Sequence, residues 1–116
     1  MPELPEVETT KTSLLPLLDQ KVMNVEVRQA SLRWPIPENL HKLTGQKLLQ
    51  LTRRSKYILA QFEQDSMLWH LGMSGSFRLC DAHEDLRKHD HLIIQFEDMQ
   101  LRHHDPRRFG CILWLN

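Results

Sequence analysis

Long apolar runs are missing from this sequence, and its first residues, MPELPEVE, carry acids where a leader would carry basic and greasy residues. The expectation is a soluble, intracellular protein with no membrane span and no secretion signal. Cysteine is scarce: Cys80 and Cys111 are the only two, lie far apart, and belong to no CxxC pair. Neither a disulfide framework nor a four-ligand zinc site can be built from them, so both read as buried thiols. Net charge is also lacking, because 15 Lys and Arg balance 15 Asp and Glu. A polycation that clings to nucleic acid through bulk charge is excluded. Internal repeats and low-complexity tracts are absent as well.

What is present suits one compact domain: 116 residues, 41% hydrophobic and 26% charged, enough to bury a core unaided. The charge is unevenly spread. Residues 1–58 hold nine Lys and Arg against six Asp and Glu, and residues 59–116 reverse those figures. Basic residues gather at Arg53, Arg54 and Lys56, and again at Arg102, Arg107 and Arg108. Such clusters can make a basic face on a neutral protein.

Prolines and acids open the chain, and Val7, Lys11, Leu14, Leu15 and Leu18 follow at roughly helical spacing. This predicts a helix from about Pro5 to Leu15, ended or kinked by Pro16. Val25 and Val27 alternate with polar residues as in a half-buried strand, and a short second helix is expected from about Glu38 to Leu43, with Gly45 as its stop. The rest reads as short strands: KLLQLTRR, KYILAQFE, SMLWHLGM, SFRLC, HLIIQFED, QLRHHD and FGCILWLN. EDMQ suits a hairpin turn, and CDAHEDLRKHD is polar and long enough for a mobile loop. The predicted fold is mainly β (α+β), a two-layer antiparallel β-sandwich or flattened barrel flanked by an N-terminal helix and a short second helix. The chain stops inside an apolar run, CILWLN, which suggests the first domain of something longer.

Pro2 is the first candidate for chemistry. With Met1 removed it becomes a free secondary amine, and an α-amino group titrates near about 7.7–8.0, so a useful fraction is unprotonated at neutral pH. Such an amine attacks an aldehyde-like sugar carbon to form an iminium. Glu3 and Glu6 lie beside it, and a neighbouring carboxyl can give or take the proton. On residue types alone, the simpler reading is a helix start whose acids complement the dipole.

Six blocks tip that balance. PELPEVET at the N-terminus, LRWP at 32–35, RRSKY at 53–57, HLGMSGS at 70–76, KHDH at 88–91 and DPRRFG at 105–110 together resemble the N-terminal domain of bacterial formamidopyrimidine-DNA glycosylase. The resemblance covers the whole chain. The sibling endonuclease VIII branch shares the N-terminal proline and glutamate but differs in most other blocks. The family resemblance implies a bifunctional glycosylase and abasic-site lyase of base-excision repair. Its substrates would be oxidised purines, 8-oxoguanine and formamidopyrimidines, in double-stranded DNA.

In that scheme Pro2 is the nucleophile, Glu3 protonates the opening sugar ring, Lys56 acts as a point-charge donor near the lesion, and Glu6 supports local geometry. Extruding a nucleotide costs a few kcal/mol of stacking. By resemblance Met73 fills the vacated space, Phe109 wedges a base step and Arg107 bonds the widowed partner base. Taken singly, these would read as a loop methionine, a strand-end phenylalanine and a surface arginine. His70, His89 and Arg108 are the phosphate-contact candidates, with Arg54 and His91 weaker. A metal site on His89, His91, His103 and His104 is supported by no motif. The resemblance also implies a C-terminal helix-two-turn-helix element and a four-cysteine zinc finger, neither within these residues, so zinc is expected there and no cofactor here. It further implies a monomer in the bacterial cytoplasm, associated with the nucleoid, and little activity from residues 1–116 alone.

Overall fold

The computed structural model describes residues 4–28, 37–72, 75–106 and 111–115. Helix α1 (Leu4–Ser13) places Glu6 in its first turn and Lys11 in its last, matching the helix dipole. Val7 and Leu14, two turns apart, are both buried. The α-helix ends two residues before the expected Leu15. A 3₁₀ turn, Leu15–Leu17, takes over with Pro16 inside it, because a tight i to i+3 turn accommodates a proline that a continuing α-helix rejects. The second helix spans Glu38–Leu43 as expected, but it is 3₁₀ and kinked at Asn39.

Among the described residues eight strands follow the sequence patterns: β1 (Asn24–Val27), β2 (Leu48–Arg54), β3 (Tyr57–Phe62), β4 (Ser66–His70), β5 (Ser76–Cys80), β6 (Asp90–Gln95), β7 (Gln100–His104) and β8 (Cys111–Leu115). They form two antiparallel sheets, ordered β1-β6-β7-β5 and β2-β3-β4-β8. Among the described strands neither sheet closes on itself, so the fold is a sandwich and not a barrel. The core lies between the sheets, and α1 packs against β2 and β3 of one sheet and β5 of the other. A ring stack crosses the layers: Trp69 on Phe77 at 4.9 Å, and Phe77 on His103 at 4.6 Å. Cys80 and Cys111 are buried thiols.

Two expectations need correction. Strand β1 is not half-buried in the manner its alternation suggested: Val25 is partly buried, but Val27 is 40% exposed. It is an edge strand, bonded only to β6 among the described strands, and Val22 just before it supplies the fully buried side chain. The polar stretch from Cys80 to Asp90 is not a loose loop. Strands β5 and β6 run the same way with β7 between them, so the connection must return lengthwise over the outer face of the sheet. Arg102, 1% exposed, holds it there, donating to the carbonyls of Asp81, Glu84 and Asp85 and to Gln100 Oε1 at 2.9–3.3 Å.

Candidate functional site

The strand registers decide which sequence blocks meet. Arg54 pairs with Tyr57, Tyr57 with His70, and His70 with Cys111, so the β2–β3 turn, the end of β4 and the start of β8 share one end of their sheet. In the other sheet Ser76 and Asp90 both pair with His104, which puts the starts of β5 and β6 and the end of β7 together. The short connection 71–75 joins the two sheets at this end. All the described motif blocks after the helix therefore converge on one rim of the sandwich.

The rim is basic. Arg53, Arg54 and Lys56 occupy or flank the β2–β3 turn, all exposed. Ser55 takes a left-handed φ of 55° at its tip, and Arg53 steadies the turn by donating to the Ser55 carbonyl at 3.2 Å. Arg53 also reaches Glu8 at 3.3 Å, tying α1 to β2 beside Lys56. Across the rim, Arg28 donates to the carbonyls of Arg87 and Asp90, both at 3.2 Å. Lys88 is exposed and His89 half-buried. The acids Asp19, Glu63, Asp65, Glu97 and Asp98 sit on turns at the opposite end, next to the far ends of β2, β3, β4, β6 and β7. The rim thus gathers clustered cations, while the opposite end mixes these acids with Lys21 and Lys47, and each half of the sequence contributes to both ends.

Of the sequence-derived candidates, Pro2, Glu3, Met73, Arg107, Arg108 and Phe109 lie outside the described residues. Glu6 is exposed on the first turn of α1, and Lys56 is exposed on the β2–β3 turn. His70 is buried, packs its ring 5.0 Å from Tyr57, and accepts the Gly72 N–H at Nδ1, 3.2 Å away. It braces the start of the 71–75 connection from within. His91 is buried, with Nε2 2.7 Å from the Asp105 carbonyl oxygen, and the Asp105 N–H donates to the His89 carbonyl. These bonds lock KHDH to the start of DPRRFG.

Sequence reasoning missed the group at the centre of this lock. Asp90 is wholly buried and accepts both Arg78 guanidinium N–H groups and the Arg87 backbone N–H at 2.8 Å, with His104 Nδ1 at 3.0 Å. Burial alone would raise its carboxyl, but Arg78, the Arg87 N–H and His104 outweigh it and hold the group well below the usual carboxylate range. Arg78 is correspondingly held as a cation by Asp90. No local signal marked Asp90: Arg78 lies twelve residues earlier on β5, and the register that brings the two together exists only in the folded sheet.

Among the described residues, no group of three or more His, Cys, Asp or Glu is arranged to hold a metal ion. Cys80 and Cys111 stand at opposite ends of different sheets, so they cannot share a zinc ion. No helix among the described residues is long and apolar enough to cross a membrane.

The arrangement defines a class: an α+β domain in which two open antiparallel sheets deliver their connections to one basic rim. The chain belongs to the formamidopyrimidine-DNA glycosylase N-terminal domain family, whose model matches residues 1–112. It is 80% identical to a formamidopyrimidine-DNA glycosylase of Acinetobacter baumannii and 72% identical to one of Acinetobacter baylyi, in both cases over the whole chain. The chain spans 42% and 43% of the length of those relatives. A crystal structure of Lactococcus lactis Fpg with abasic-site DNA superposes with a TM-score of 0.90 at 35% identity, over 98% of this chain and 44% of that one. Another, of the same protein with DNA containing an oxidised pyrimidine, gives 0.90 at 36%, over 98% of this chain and 44% of that one.

Proposed function

We propose that this chain is the catalytic N-terminal domain of a DNA glycosylase and abasic-site lyase that removes oxidised purines from double-stranded DNA. The observation that carries the reading is the convergence of the β2–β3 turn, the ends of the 71–75 connection, the KHDH block and Asp105 at the start of DPRRFG on one basic rim. A neutral protein that clusters cations such as Arg53, Arg54, Lys56, Arg87 and Lys88 on one rim can meet a polyanion there.

The chemistry assigned to that rim starts at Pro2. Its unprotonated nitrogen attacks the anomeric carbon of the damaged nucleotide, the bond to the base breaks with its electrons leaving on the base, and Glu3 protonates the opening sugar oxygen. The iminium acidifies the neighbouring sugar proton, and elimination releases the strand phosphates. Lys56 supplies a cation near the lesion phosphate. Glu6 supports the first turn of α1. Met73, Arg107 and Phe109 replace the extruded nucleotide in the stack, while His70, His89 and Arg108 serve the backbone. For His70, burial favours an indirect part, holding the 71–75 connection in shape. The setting is the bacterial cytoplasm and its nucleoid DNA. A zinc finger in a following segment, absent from these residues, would supply further DNA contacts.

Borohydride trapping on a duplex with an abasic site tests the reading, using chain whose intact mass shows Met1 removed. A covalent band that disappears in Pro2→Gly is the expected result. No band from processed chain, but a Pro2-dependent band from a chain of the relatives' full length, assigns DNA positioning to the following segment. No band from either overturns the assignment.

A further inference from the structure

The KHDH block contributes a second histidine that the glycosylase scheme leaves without a task. His91 is 3% exposed, so its ring is closed off from a DNA backbone and works inside the fold. Between the pairs Asp90–His104 and Leu92–His103, β6 advances two residues while β7 advances one, a β-bulge with His91 as the extra residue. Regular pleating would put Asp90 and Leu92 on one face; the bulge instead lets Asp90 meet Arg78 on the outer face while Leu92 enters the core. It also re-aims the residue between them. His91 Nε2 lies 2.7 Å from the carbonyl oxygen of Asp105, the residue after β7. That oxygen only accepts, so Nε2 carries the hydrogen. The ring packs edge to face on His89 at 5.9 Å, and the His91 carbonyl accepts the Arg28 N–H at 2.7 Å, so ring and backbone are both held.

Asp105 is thereby gripped at both of its main-chain polar groups: its N–H donates to the His89 carbonyl at 3.0 Å, and its oxygen accepts from His91. That oxygen belongs to the planar peptide bond to Pro106, and proline fixes its own φ and disfavours the α region at the residue before it. Holding the Asp105 oxygen therefore sets the plane from which the chain continues to Arg107. We infer that His91 is a positioning residue for recognition of the base opposite the lesion, acting on Arg107 through the Asp105–Pro106 peptide. The inference rests on the function proposed above, in which Arg107 bonds the widowed base. A hydrogen bond to a base edge is directional, so a small tilt at Asp105 costs discrimination between bases before it costs folding.

Excision of an oxidised purine placed opposite each base in turn tests this, in a chain of the relatives' full length. His91→Asn shortens the side chain so that its amide falls short of Asp105, whereas His91→Gln brings an N–H close to the place of Nε2. The spread of rates among opposite bases is expected to narrow several-fold in His91→Asn and to recover in His91→Gln. In an Arg107→Ala background His91→Asn should narrow it no further, a coupling that a merely structural part would not show. Ring-nitrogen NMR of the parent, where no variant has to fold, should show a slowly exchanging hydrogen on Nε2, and a bare Nε2 overturns the inference. A parent without any spread, or a spread left intact in His91→Asn whatever the overall rate, overturns the inference and leaves the proposed function standing. A parent that excises the lesion opposite no base overturns that function, and the inference with it.

Discussion

Arg78 and Asp90 meet face to face across the outer surface of one sheet, Nη1 to Oδ1 and Nη2 to Oδ2, both at 2.8 Å. Two parallel charge-assisted bonds fix the carboxylate in the plane of the guanidinium, which leaves its remaining lone pairs for the Arg87 N–H and the His104 ring. One buried acid thereby connects β5, β6, β7 and the returning segment 81–89.

Breaking that pair from one side strands a buried charge. Arg78→Met is expected to cost about 3–5 kcal/mol at pH 7, read as a lower urea midpoint. Because Asp90 titrates lower folded than unfolded, its stabilisation is fully present above about pH 4 and is lost as pH falls below that. The gap between parent and Arg78→Met should therefore narrow at pH 3.5. An equal gap at both pH values would show that the carboxylate is not the group responsible.

Arg102 fastens the returning segment. Its replacement by Met removes four hydrogen bonds from a cation to oxygen acceptors, three of them main-chain carbonyls. The expected loss is about 3 kcal/mol, with new proteolytic cleavage confined to residues 81–89. Cleavage rates unchanged from the parent would mean that Asp90 and Arg28 hold the segment without it.

His103 should make the core sensitive to acid. It is fully buried, stacked on Phe77, and neither ring nitrogen has a hydrogen-bond partner among the described residues. Burial pushes it down to about 4, although Asp105 pulls the other way. The unfolded chain takes up this proton near the ordinary value of about 6.5, so between those limits the unfolded state binds more protons and stability falls as pH falls. His103→Leu, apolar and similar in volume, is expected to raise Tm, and by more at pH 5 than at pH 7.5. A constant difference in Tm would remove His103 from the acid response.

How far the sequence reveals this molecule depends on the range of the interaction concerned. Ile58, Ala60 and Phe62 on β3, with Met67 and Trp69 on β4, recur at every second residue because that face of each strand joins the core cluster, and that pattern is local. The Pro16 break and the EDMQ turn are equally local. Arg102 and the segment it grips are 17–21 residues apart, so the segment read as mobile when its anchor could not be seen. Asp90 looked like one more polar residue of KHDH, because its partners come from three other segments. The basic rim was half visible: the clusters are in the sequence, but only antiparallel pairing brings them to one end, away from the turns that hold Asp19, Glu63, Asp65, Glu97 and Asp98. Pro2 and Glu3, raised by their chemistry, and Met73, Arg107, Arg108 and Phe109, raised by whole-block resemblance, fall on residues outside those described.

Gly75 is where local geometry meets the site most directly. A Cβ there would drive into the Leu71 carbonyl oxygen, a backbone atom that cannot swing aside, and Gly72 in the same connection takes a left-handed φ of 71°. His70 Nδ1 holds the Gly72 N–H at 3.2 Å, so the connection is pinned at its start. Gly75→Ala is expected to open the connection, lowering stability by about 2 kcal/mol. If Met73 enters the DNA stack, the borohydride-trapped adduct should fall by a larger factor than the Tm drop explains, whereas Gly45→Ala, at a turn on the opposite end with open space around it, should affect Tm alone. Equal effects of the two substitutions on trapping would separate the 71–75 connection from the chemistry.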